Sequence, residues 1–363
     1  MMKKIFQIKI PHQRNFGLDL LRFIAIFTVL VSHSITVLPE KFYFVHKFIT
    51  DDVLIFFVLS GFLIGRILIR DFEEKINIRN LIHFWKRRWW RTLPAYFFTI
   101  FLILLISFLM QRPVNWGACI KSLFFVQNLF YHTGAFFPES WSLSIEEWFY
   151  LSLPVLLFAL FRISGKTVRQ TVIISFFIIL IFSVAIRLYI LSHHEIVSLQ
   201  EWDQRLRSPV VTRLDSILTG VLGAWFFHFK KPLFDKNKNV FFIAGALVFL
   251  LNKFYFDYFI SFNLYTGVFY FFIMPASIVL MLPKFYYLKE TRLPIFNRLI
   301  TKGSLISYSM YLLNLTVIST LILQPLQINI WIKFFLFWVM TPLFSILMYK
   351  YVELPFMKLR DKK

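Results

Sequence analysis

Residues 17–37 read GLDLLRFIAIFTVLVSHSITV, an apolar run whose only ionisable groups are Asp19, Arg22 and His33. An α-helix rises about 1.5 Å per residue, so about 20 such residues cross a hydrocarbon core of roughly 30 Å. Comparable runs recur near 52–69, 92–110, 148–162, 171–191, 213–229, 240–256, 266–283, 303–323 and 331–350. The pattern predicts an all-α polytopic membrane protein of about ten transmembrane helices. The run at 148–162 is short and contains Pro154, and the apolar stretch 123–131 is too short to span, so it reads as a re-entrant or interfacial segment.

Composition points the same way. The 363 residues are 58% hydrophobic and 20% aromatic, with 48 phenylalanines, and only 16% are charged. A soluble domain carries roughly 25% charged residues, so soluble enzyme, disordered protein and disulfide scaffold are excluded. Cys119 is the single cysteine, which rules out an internal disulfide and any cysteine-based metal site; no metal is expected. The opening MMKKIFQIKIPHQRN is basic but lacks the apolar core and cleavage site of a signal peptide.

The net charge of +21 would suit a nucleic-acid binder, but no polar, foldable segment carries the basic residues. Their distribution explains them better. Residues 1–16, 70–91, 162–170, 230–239, 284–302 and 350–363 hold 28 Lys and Arg, whereas the alternate loops hold only seven. The positive-inside rule then puts both termini in the cytoplasm, in agreement with an even number of spans. With no internal repeat and no linker, residues 1–363 read as one membrane domain, multi-pass in a bacterial inner membrane.

Ionisable groups inside a bilayer cost from about 2.5 kcal/mol upward and are therefore candidates for function. On the first span His33 lies about 20° from Arg22 around the helix and Asp19 about 60° away, with His33 some 16 Å farther toward the outside. Asp19 and Arg22 either pair with each other or serve a site, and His33, near neutral pH, is the natural general base. FWKRRWWRTLP (84–94) puts Arg88 and Arg91 on one helix face, with Trp89 and Trp90 beside them. Guanidinium groups suit phosphate oxygens and tryptophan suits a stacked base, although the same residues also anchor span ends. ESWSLSIEEWFYL (139–151) is expected outside, leading into the fourth span. Ser144 and Glu147 there have capping-box spacing, which leaves Glu146, Trp141 and Ser142 at the outer mouth of the bundle. Arg187, Arg213 and Asp215 are expected near that face, as structural pairs or as part of a sugar-acceptor site.

These residues sit in segments that resemble a known family. LDLLRFIAIFTVLVSHS, DDVLIFFVLSGFLIGRIL, FWKRRWWRTLPAYF, SWSLSIEEWFYLSLPVLL, TRLDSILTGVLGA, ISYSMYLLN and YVELPF appear in the order and style of the integral-membrane acyltransferases that O-acetylate surface glycans, acyltransferase family 3. The likeness covers nearly the whole chain. It implies that His33, separated by ten residues from the basic Arg22, is the essential catalytic residue. It implies that Arg88 and Arg91 serve an acyl-coenzyme A donor, most often acetyl-CoA, bound as a substrate rather than as a resident cofactor. Glu146 and Glu147 match the family's paired acidic positions. Tyr308 and Asn314 fall in the ISYSMYLLN motif, where many members carry a histidine in place of Asn314. The closing acidic-Arg-Pro pattern reads Glu353-Leu354-Pro355. Some relatives carry an esterase-like domain after the last span; this chain, ending at Lys363, is expected to complete the transfer in its membrane domain or with a partner.

The expected activity is acyl transfer from cytoplasmic acyl-coenzyme A to a hydroxyl of a cell-surface or lipid-linked glycan, such as a lipopolysaccharide or other polysaccharide. His33 takes the hydroxyl proton or accepts the acyl group itself, and Arg22 or Asp19 orients groups lower in the channel. Two readings from other classes stand beside it. A transporter or flippase for a lipid-linked glycan or small solute would share the span count and buried charges, but gives no reason for an Arg/Trp cluster confined to one side, and such folds often carry internal repeats. A non-catalytic subunit of a polysaccharide assembly complex predicts that His33→Ala is harmless.

Overall fold

The computed structural model describes residues 10, 11, 14–48, 52–74, 77–258 and 262–361. Among these there is no strand, as apolar runs that must satisfy every backbone group internally require. The helices are α1 (Phe16–Ile35), α2 (Asp52–Glu74), α3 (Ile78–Leu109), α4 (Trp116–Leu123), α5 (Trp141–Ser164), α6 (Val168–His193), α7 (Leu214–Phe229), α8 (Lys231–Lys236), α9 (Lys238–Tyr258), α10 (Tyr270–Tyr286), α11 (Pro294–Leu313), α12 (Ile330–Met348) and α13 (Leu354–Asp361). A π-helical stretch, Asn314–Leu323, continues α11. Nine helices among the described residues are long and apolar enough to cross a membrane. The tenth predicted span is α7, whose 16 residues reach only about 24 Å. The protein is an all-α, multi-pass membrane protein.

Two helices expected from apolar runs start well before those runs. α3 begins at Ile78, where the Asn77 side chain accepts from the Asn80 backbone N–H at 2.8 Å. Arg88 and Arg91 therefore lie on one continuous helix, as their spacing predicts. α5 begins at Trp141, after a 3₁₀ turn over Pro138–Ser140. The serines and glutamates that lower the hydropathy of 139–147 thus belong to the bundle. The predicted capping box is not formed: Ser144 lies within the helix, where its Oγ accepts from Gln127 Nε2 at 2.6 Å.

The stretch 123–131 turns into the bundle without spanning it. Asn128 is fully buried, and its amide donates to the Trp141 and Ser208 carbonyls at 2.9 and 2.6 Å. Irregular backbone at such depth is tolerated only where protein groups satisfy it.

Helices α2 and α7 cross with their backbones nearly touching. A Cβ on Gly61 would stand 1.9 Å from the Ile217 carbonyl oxygen, and one on Gly220 would stand 2.2 Å from that of Val58. Gly61 and Gly65 form a GxxxG pair, which lets two backbones touch where lipid supplies no hydrophobic driving force. This crossing fixes one wall of the cavity that holds the candidate site.

Candidate active site

A cavity of about 480 Å³ opens between α1, α2, α3, α5, α7 and α11. Its polar lining includes Arg22, Arg66, Arg70, Arg88, Arg91 and Glu146, with Ser142, Tyr308 and Tyr311 also on its wall. Arg88 Nη2 lies 3.5 Å from Glu146 Oε2, donates to the Tyr150 hydroxyl, and sits with its guanidinium carbon 4.1 Å from the Tyr150 ring centroid. The Tyr150 hydroxyl in turn donates to Glu146, and Ser60 donates to the same carboxylate at 3.3 Å. Glu146 is therefore an inner partner of the arginine cluster. The expected place at the outer mouth is corrected, because α5 begins before it and carries it into the bundle.

Arg22 lines the cavity, close enough to Arg88 and Arg91 to interact electrostatically. The possible Asp19–Arg22 pair is replaced by another. Asp19 accepts from Arg14 Nε at 2.7 Å, and from Arg14 Nη2 and from Ser304 Oγ (2.7 Å) at its other oxygen. It ties the start of α1 to α11 and is not part of the cavity lining. The Asn15 amide adds to this anchor by donating to the Tyr286 carbonyl at 2.8 Å.

His33 is half-buried near the end of α1. Its Nδ1 lies 2.5 Å from Asn314 Oδ1, and the Asn314 amide nitrogen donates to the Met310 and Tyr311 carbonyls at 2.9 and 2.8 Å. With the amide nitrogen committed to those carbonyls, its oxygen faces the imidazole. An amide oxygen only accepts, so the neutral ring carries its proton on Nδ1 and its lone pair on Nε2. The departure from histidine at position 314 thus leaves an amide in direct contact with His33. Tyr311, which lines the cavity, is three residues before Asn314, about 4.5 Å along the axis, so His33 stands roughly one turn beyond the cavity lining.

Residues not singled out from the sequence hold this end together. Glu139, buried, accepts from the Thr316 backbone N–H at 2.8 Å and from its hydroxyl at 2.5 Å. This secures the π-helical break just after Asn314. Tyr311 donates to the Glu139 carbonyl at 2.7 Å and lies 2.7 Å from Ser142 Oγ. Ser309 donates to Glu353, so the closing Glu-Leu-Pro motif clamps α11 as well. Tyr308 donates to the Thr92 carbonyl at 3.0 Å and Thr92 donates to Glu147 at 2.9 Å. Glu147 therefore joins α5 to α3.

Other predicted site residues fall elsewhere. Trp89 and Trp90 line an apolar groove of about 720 Å³ with Pro94, Phe97, Tyr351 and Phe356, separate from the arginine cavity. The arrangement removes them from the phosphate site expected beside Arg88 and Arg91: neighbouring helix positions face different directions. Arg187 and Asp215 form a buried pair at 2.6 Å, and Arg187 also donates to the Thr212 carbonyl at 2.6 Å. Arg213 lies fully buried over the Phe271 ring, 4.7 Å from its centroid. All three are packing groups between α6, α7 and α10 rather than parts of the cavity wall. Trp141 is buried under Arg207, 4.6 Å from its ring centroid, whereas its neighbour Ser142 reaches the cavity.

A family model described as an acyltransferase domain matches residues 15–350. Over 238 residues, 62% of this chain and 36% of the relative, the sequence is 29% identical to O-acetyltransferase OatA of Staphylococcus aureus strain NCTC 8325. Over 244 residues, 64% of this chain and 38% of the relative, it is 28% identical to a protein of strain COL provisionally named O-acetyltransferase SACOL0978. The matched part of the chain spans little more than a third of the length of these relatives. No solved structure matches. With the family model matched over residues 15–350, the chain belongs to the acyltransferase 3 family.

Proposed function

We propose that this protein is a membrane O-acyltransferase that moves an acyl group, acetyl in the simplest case, from cytoplasmic acyl-coenzyme A to a hydroxyl of a cell-surface or lipid-linked glycan. The observation that carries the reading is one cavity with a cluster of arginines along its wall and an amide-oriented histidine about one turn beyond it. Arg22, Arg88 and Arg91 bind the donor's diphosphate. The long, mostly uncharged pantetheine arm runs along the cavity toward Tyr311. The thioester then runs alongside the edge-packed rings of Phe56 and Tyr311 to meet the acceptor beside His33.

His33 Nε2 takes the proton of the acceptor hydroxyl as its oxygen attacks the thioester carbonyl carbon. The new C–O bond forms, the C–S bond breaks, and the proton passes from His33 to the departing thiolate. Asn314 keeps the ring in the competent tautomer. The basic residues of 70–91 and 284–302 support a cytoplasmic donor side by the positive-inside rule, with the glycan then met on the His33 side. The names of the OatA relatives support O-acetyl transfer in particular.

Mass analysis of envelope glycans from cells with and without the gene tests the reading. Loss of an acetyl mass increment on deletion is expected. Unchanged acetylation together with accumulation of an unmodified lipid-linked precursor would overturn it in favour of transport.

A further inference from the structure

The cavity holds more positive charge than a diphosphate requires, and it holds it at two levels. Arg22, Arg88 and Arg91 stand on α1 and α3 around the Glu146 level. Arg66 and Arg70 line the same cavity from α2. Ser60, also on α2, contacts Glu146, so Arg66 lies about 9 Å and Arg70 about 15 Å farther along the helix axis, toward the exposed end.

Among the described residues Arg66 has no carboxylate partner, unlike several other arginines of the bundle, Arg70 with Asp71 on the same helix among them. Arg14, Arg88, Arg187 and Arg207 each have a carboxylate partner. The Arg66 guanidinium carbon instead lies 4.7 Å from the Phe227 ring centroid, 5.4 Å from that of Tyr286 and 5.8 Å from that of Phe62. Rings from α7, α10 and α2 thus hold it in place. Aromatic faces attract a cation without neutralising it, and among the described residues no carboxylate lies within ion-pair distance of it. A half-buried guanidinium positioned in this way keeps its charge and its fork of donors for a dianionic ligand. His228, paired with Glu73 at 2.7 Å, stands beside it on the wall.

We infer that Arg66, assisted by Arg70, forms a second phosphate subsite that takes the ribose 3′-phosphate of coenzyme A. The two levels of arginine then match the two separated phosphoryl groups of this donor, diphosphate and monophosphate. An acyl carrier with one phosphoryl group would leave one level unfilled. Arg66 is thereby a specificity residue for coenzyme A thioesters. The inference rests on the acyl-coenzyme A reading above.

Binding of coenzyme A and of 3′-dephospho-coenzyme A to the purified full-length protein and to Arg66→Met and Arg66→Lys tests it. The wild type should bind coenzyme A about 10- to 100-fold more tightly than the dephospho form, the range for one charge-assisted contact to a phosphate. Arg66→Met should bind both with the wild type's dephospho affinity, and Arg66→Lys should recover part of the difference. Equal wild-type affinity for the two ligands, or equal weakening of both by Arg66→Met, would overturn the subsite while leaving the donor assignment intact. If the wild type binds neither ligand, the donor assignment falls and the subsite with it. The wild-type comparison alone decides the matter should the methionine variant fail to fold.

Discussion

In the proposed mechanism Asn314 is the residue on which the chemistry of His33 turns. Its oxygen accepts from Nδ1 while its nitrogen is spent on two carbonyls of its own helix, so the amide cannot flip without losing both bonds. Replacement by Leu removes the orienting acceptor. It should lower kcat by about 10- to 100-fold, the worth of one buried hydrogen bond to a group that becomes charged, and leave the KM for acetyl-CoA near its wild-type value. Steady-state kinetics on the purified variant separates the two. A different residue contributes to the response to acid. Burial pushes the His132 imidazole below its ordinary 6.5, with Asp203 opposing and Arg207 adding to the shift. The unfolded chain takes up a proton near that pH and the folded chain resists it, so stability falls as pH drops through about 6.5 and below. Thermal unfolding at about pH 7.5 and 5.5 should show a smaller acid-induced loss in His132→Gln than in wild type. Of these residues, His33 was legible from its place on an apolar helix. Asn314 was legible only as a departure from a motif, because its contact with His33 joins positions 281 apart.

At the scale of elements, the sequence located each of the ten apolar runs but not where the site-bearing helices begin. Hydropathy sees Ser140, Ser142, Ser144, Glu146 and Glu147 as loop. The structure pairs those polar groups inside the bundle, so α5 carries them as helix. That shift moves Glu146 from the outer mouth to Arg88. It also separates the two glutamates. Glu146 faces the cavity, whereas Glu147 accepts from Thr92 on α3. Glu146→Gln should therefore change the KM for acetyl-CoA several-fold by releasing Arg88. Glu147→Gln should leave that KM unaltered and cost about 1 kcal/mol of stability, the scale of one altered buried hydrogen bond. Parallel kinetics and thermal unfolding of the two variants check the assignment. Asp19 was misread for a related reason: its partners are Arg14, just before the helix, and Ser304, 285 residues away, and neither is visible to helical periodicity.

For the whole molecule, the excess of basic residues gave an orientation, but the assembly depends on contacts that composition does not show. The α2–α7 crossing has no room for a side chain, so Gly61→Val should prevent stable accumulation in the membrane, with overpacking costs of at least about 1–3 kcal/mol. The buried Arg187–Asp215 pair joins α6 to α7. Asp215→Asn leaves a buried guanidinium without its counter-charge and should destabilise the protein by about 3–5 kcal/mol, read as a lowered unfolding temperature in detergent. The central claim, that one cavity brings a cytoplasmic thioester to a histidine on the far side, is tested most directly by His33→Ala. Surface-glycan acetylation in cells carrying this variant, measured beside its membrane abundance and the coenzyme A affinity of the purified protein, is the decisive comparison. The account predicts acetyl transfer reduced by about 10²- to 10⁴-fold, the range for loss of a general base, with abundance and coenzyme A affinity unchanged. Near wild-type acetylation in that variant would contradict it.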